Sequence, residues 1–128
     1  MRSISKLILT GLAAGGLSLI AAGAEAHHSG AMFADEVTVI TGTIKQFQWT
    51  HPHTWIQVNV ETSPGRTKEW SIEWNSPNAL GRQGVRPNTF PAGAKVTMQI
   101  TKMRDGTAAG GFVAAKFADG KTVGTWRN

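Results

Sequence analysis

The stretch Thr54 to Val60, TWIQVNV, alternates without a break: Ile56, Val58 and Val60 point one way, Trp55, Gln57 and Asn59 the other. A period of two marks a strand with one buried face. Similar segments recur on both sides of it. Val37 to Trp49, VTVITGTIKQFQW, is rich in β-branched and aromatic residues. Val37 and Val39 share one parity and Ile40 and Ile44 the other, while Phe47 and Trp49 return to the first. Gly42 lies between the two sets, so a bulge or bend there is expected to shift the inward face. Lys68 to Trp74 reads as a third strand, with Trp70, Ile72 and Trp74 on one face. Ser63-Pro64-Gly65-Arg66 is the turn before it.

The strand period then stops. Ser76-Pro77-Asn78 is a helix start, with Ser76 as N-cap and Pro77 at the first helical position, and Gly84 ends the short helix. Pro91-Ala92-Gly93 turns into a fourth strand, Lys95 to Lys102. Asp105-Gly106 is a hairpin signal before a fifth, Thr107 to Phe117, and Asp119-Gly120 leads to a last short one, Lys121 to Trp126. Three strands, one short helix, then two or three strands is the order of a small OB-like Greek-key barrel. The expected class is therefore all-β with one short helix and five to six strands; a six-stranded sandwich is the alternative.

The barrel does not start at Met1. Arg2 and Lys6 precede an apolar run, Leu7 to Ala24, which ends at Ala24-Glu25-Ala26. This is the pattern of a cleaved secretory signal. The run is almost long enough to span a bilayer, but it is rich in Gly and Ala and has no basic stop-transfer flank. Residues 1–26 are thus expected to be a signal peptide, 27–36 an extended arm without helix or strand period, and 37–128 the barrel. The expected destination is the bacterial periplasm or the medium, with no stable membrane anchor after cleavage. The chain has no cysteine, so the exported domain is held without disulfides, and thiolate zinc and iron–sulfur sites are excluded.

The net charge is +5. Arg2 and Lys6 take away two positive charges and Glu25 one negative, so the segment from His27 carries +4. Its basic residues are scattered from Lys45 to Arg127 with no consecutive block, so no nucleic-acid partner is expected. No nucleophile set is visible: there is no cysteine and no G-x-S-x-G around a serine. Ala109-Gly110-Gly111 does not open a helix after a strand and is not a phosphate loop.

All four histidines fall in two places, His27-His28 and His51-Pro52-His53. Cleavage after Ala26 makes His27 the amino terminus. A terminal histidine offers an amine and a ring nitrogen to the same metal in one chelate ring. A second imidazole makes a three-nitrogen, T-shaped set of the histidine-brace kind, a geometry that suits Cu(II). Pro52 disfavours helix at His51, and in an extended chain His51 and His53 project to one side. The expected metal ligands are His27, His28, His53 and His51, and the expected cofactor is copper. The plain readings are a solvated tail for His27-His28 and a simple turn for His51-Pro52-His53; the clustering of every histidine favours the site. Met32, Met98 and Met103 are soft donors as a type, but methionine more often fills cores, and Met98 alternates with Val96 and Ile100. Glu69 and Glu73 share the face opposite Trp70 and Trp74. That face reads as solvated, with Glu73 the better placed to orient a ligating imidazole. Trp49 and Trp55 bracket the histidine turn and are expected to wall a site.

The combined motifs AHHSG around the cleavage point, TGTIKQFQWTHPHTWI, EWNSPNALGRQGV and FPAGAKVTM resemble a family of small exported bacterial proteins catalogued as a domain of unknown function. Its members typically open the mature chain with H-H-S and carry W-x-N-P-H, S-P-N-x-L and P-G-x-x-V. The resemblance implies a small β-rich exported domain and brings no established activity. Pro52 and His53 match its later motif, whereas His51 stands where the family usually has asparagine, and Gly30 where it usually has phenylalanine. His53 is therefore the shared candidate ligand. The leading expectation is an exported copper carrier or buffer, with a second periplasmic protein as a further partner. The alternative is a non-metal module binding a protein, peptide or glycan through its Trp49–Trp55 face, and a copper-dependent oxidase is a lesser one.

Overall fold

The structure, a computed structural model, describes residues 30–128. A short 3-10 turn, Gly30–Met32, leads into β1 (Phe33–Gln48). β2 (Trp55–Ser63), β3 (Arg66–Glu73), the helix α1 (Pro77–Arg82), β4 (Lys95–Met103), β5 (Ala109–Phe117) and β6 (Thr122–Gly124) follow. The strands form one sheet in the order β3-β2-β1-β4-β5-β6. A parallel pairing of β3 with β5, Ser71 to Ala109, Ile72 to Gly110 and Glu73 to Gly111, closes it into a barrel. Every other pairing is antiparallel. This is the OB-like Greek-key barrel, with α1 between the third and fourth strands.

Alternation fills the interior. Ile56 and Val58 of β2, Ile72 of β3 and Met98 and Ile100 of β4 are wholly buried, beside Ile40 and Ile44 of β1. Phe90, in the segment after α1, meets Phe47, Trp74, Phe112 and Phe117 with ring centroids 5.3 to 6.2 Å apart and plugs one end. Met98 is core filler, as its alternation requires.

The inward face of β1 is Ile40 and Ile44, and Val39 is left 53 % exposed. Gly42 does not shift this face. The shift comes at Lys45, where pairing with β2 steps from Ile44–Val58 to Gln46–Gln57 and so turns Phe47 inward opposite Ile56. Gly42 instead permits close approach. A Cβ there would lie 2.4 Å from the carbonyl oxygen of Asn59, so only glycine lets the two strands come together.

Several strand ends differ from the sequence expectation: β2 runs on to Ser63, β3 starts at Arg66 and β5 at Ala109. β1 begins at Phe33, inside the expected arm, because Phe33 pairs with Met103 before the register breaks and resumes at Val37–Thr101. β6 stops at Gly124 (φ 75°), short of Trp126. The tail is held differently: Arg127 donates its N–H to Gln99 Oε1 at 2.7 Å, Gln99 Nε2 donates to Arg127 O at 2.6 Å, and Lys116 lies 4.0 Å from the Trp126 ring. The helix forms as expected: Ser76 is extended at ψ 151°, its hydroxyl accepts from Ala79 N–H, and Pro77 opens the first turn.

Candidate metal centre

Thr54 explains where His53 is held. It is wholly buried between the histidine turn and the end of β3. Its N–H and hydroxyl both donate to Asn75 O, at 3.1 and 3.0 Å, and its carbonyl accepts from Trp74 N–H at 3.0 Å. These bonds tie the β1–β2 connection to the junction of β3 and α1. Thr50 Oγ1 adds a bond to His53 O at 2.9 Å. The imidazole thereby stands beside the last residue of β3, and Oε1 of Glu73 lies 2.5 Å from Nδ1 of His53. The histidine side chain is 43 % exposed and the glutamate 20 %. A ring whose Nδ1 is engaged by a carboxylate is fixed in orientation and presents Nε2 to a ligand.

His53 and Glu73 line a cleft of about 330 Å³ together with Phe33, Trp74, Asn75, Thr101, Gly111 and Phe112. The cleft lies over the seam where β3 meets β5. Gly111 leaves room there: a Cβ on it would stand 3.0 Å from Thr101 Oγ1 and 3.7 Å from the Phe33 ring. The indole of the cleft is Trp74. Trp49 packs edge-on against Phe47, and Trp55 stands opposite Glu73 in register; neither lines the cleft. Trp74 follows the last residue of β3 and packs against Phe90 and Phe112 while lining the cleft, so one ring serves both core and cleft.

The expected ligands separate. His53 lines the cleft. His51 is exposed and does not, because His51 and Pro52 lie in a bend and not in the extended conformation that would align it with His53. The peptide between His51 and Pro52 is cis. His27 and His28 lie outside the described residues. Among the described residues no group of three or more His, Cys, Asp or Glu side chains could hold a metal. Here one imidazole and one carboxylate line the cleft together with Phe33, the first residue of β1.

A profile of a family of unknown function (DUF6152) matches residues 16–112. The chain belongs to DUF6152. No curated protein matches this DUF6152 chain. Among solved structures it is similar to the mitochondrial single-stranded DNA-binding protein Rim1 of S. cerevisiae. The TM-score is 0.50 at 12 % identity, over 67 % of this chain and 94 % of that one. At that identity the likeness concerns the fold, and it agrees with the strand order and closure described above. Phe33, Asn75, Thr101 and Gly111 of the DUF6152 chain were not legible as cleft residues, since no local pattern marks them. The parity of Glu73 put it on an outward face shared with Glu69, read as solvated, and only the tertiary structure sets it in the cleft.

Proposed function

We propose that this protein is exported and binds copper for carriage or buffering, with His53 as one ligand and the amine and ring of His27 as the others. The observation that carries the reading is the 2.5 Å approach of Glu73 Oε1 to His53 Nδ1. A carboxylate behind an imidazole is the usual support of a metal-ligating histidine. Two further features support it. Phe33, the first residue of β1, lines the same cleft as His53, and His27 precedes it by six residues, at most about 20 Å of extended chain. Nitrogen ligands without thiolate favour Cu(II) among the divalent metals. His28 stands next in line as a fourth donor, and the bend at His51 makes it the weakest of the four. Nucleic acid is not part of the reading: the basic residues are scattered, and Lys45 on the outer face is paired with Glu69 at 2.5 Å.

The test compares protein beginning at His27 with a form carrying one extra residue ahead of it. Calorimetry and EPR should show tighter Cu(II) binding by the first form, with the spectrum of an added nitrogen ligand. Equal affinity would remove the amine from the site.

A further inference from the structure

A metal ion needs donor atoms, and the cleft beside His53 and Glu73 has walls of another kind as well. Phe33, Trp74 and Phe112 all line it, and all three are half-buried. Trp74 and Phe112 lie with ring centroids 4.2 Å apart, tilted by 41°. The Phe33 ring lies 3.7 Å from the place that a Cβ on Gly111 would take, and Thr101 Oγ1 lies 3.0 Å from the same place. Gly111 therefore leaves bare backbone where any other residue would put a side chain among these groups. Ring walls suit the apolar body of an organic molecule and not a bare ion.

The polar groups are few. Nδ1 of His53 faces Glu73 Oε1 at 2.5 Å, so in its neutral form the imidazole carries its proton on that side and leaves Nε2 as an acceptor. Thr101 adds one hydroxyl from β4. The volume of about 330 Å³ is at the low end of clefts that take small organic molecules, about 300–1,000 Å³, and suits a single ring better than an extended chain. Aromatic walls favour a flat ring, in offset or edge-on contact. An acceptor nitrogen beside them selects a ring that carries a hydrogen-bond donor.

We propose that this cleft binds a small one-ring phenol, its ring held among Phe33, Trp74 and Phe112 and its hydroxyl donating to His53 Nε2. Copper is not required for this, since every residue involved is Phe33 or later in the chain. A phenol and a metal would take the same nitrogen in turn, so failure of either occupant leaves the other standing.

The test titrates phenol, toluene and glucose into metal-free protein held in EDTA, with affinities read by NMR. Toluene keeps the ring and puts a methyl in place of the hydroxyl; glucose keeps hydroxyls and lacks the flat ring. Wild type should bind phenol, and should not bind glucose at the same concentration. In His53→Ala the ratio of phenol to toluene affinity should fall about fivefold, the worth of one ordinary hydrogen bond. The ratio cancels any general change in the cleft. Gly111→Ala should weaken phenol and toluene together, because its methyl takes up room among the rings. Circular dichroism verifies the fold of both variants. If His53→Ala does not fold, the nitrogen signal of His53 Nε2 in wild type carries the test, and phenol should shift it more than toluene does. Absence of phenol binding, glucose bound as well as phenol, an unchanged ratio in His53→Ala, an Nε2 signal that phenol leaves in place, or affinities untouched by Gly111→Ala would each overturn the assignment.

Discussion

Glu73 occupies the last position of β3, one step before the chain leaves the sheet for α1. Its outward parity was readable from Trp70, Ile72 and Trp74, and that parity places its carboxylate against His53. Which histidine it meets was not readable. His51 and His53 differ by two positions, and the extended geometry that would align them is replaced by a bend, fixed by the bonds of Thr54 to Asn75 and Trp74. These partners are some twenty residues away, beyond the reach of any local rule. Glu73→Ala should leave the fold intact, because the side chain faces outward and is not part of the buried cluster. It should lower Cu(II) affinity of the His27-start form about tenfold or more, the usual effect of losing a carboxylate behind a ligating imidazole. A competition titration against a chelator of known affinity reads this, with circular dichroism to verify the fold. Unchanged affinity would mean that the carboxylate–imidazole pair has no part in binding.

At the scale of elements, the strand and helix positions follow from alternation and from caps, and the structure moves their ends by a few residues. β1 reaches back to Phe33 because Met103 and Arg104, some seventy positions away, supply its pairing. The closing seam was hidden. Ala109-Gly110-Gly111 carries no strand period, yet it forms the parallel ladder with β3, since the absence of side chains lets three strands crowd together. A Cβ on Gly110 would lie 2.5 Å from the backbone oxygen of Thr101, whereas one on Gly111 meets first the Thr101 hydroxyl, at 3.0 Å. Backbone cannot yield as a side chain can. Gly110→Ala should therefore cost about 3 kcal/mol, at the upper end for overpacking, and Gly111→Ala about 1 kcal/mol or less. Urea denaturation of the two variants beside wild type measures the difference; equal midpoints would show that the seam is looser than its geometry.

At the scale of the whole molecule, the buried cluster from Ile40 to Ala115, among the described residues, includes neither His51 nor His53. The barrel should accordingly fold and melt cooperatively without metal. Copper should then stabilise it by linkage alone, by about 2.7 kcal/mol at free metal one hundred times the dissociation constant. Thermal melts with and without Cu(II) test this, and a metal-free protein without strand signal at 25 °C would contradict it. By itself the sequence determined the class and the order of elements: the alternation of β2, the Ser76 cap, the Asp-Gly turns at Gly106 and Gly120 with φ of 81° and 88°, and the helix between the third and fourth strands. Each of these depends on residues within a few positions of one another. The tertiary structure alone decided the step at Lys45, the β3–β5 closure, the choice of Trp74 over Trp49 and Trp55 as the indole of the cleft, and the pairing of His53 with Glu73. Those depend on contacts between residues far apart in the chain, which exist only once the barrel has closed.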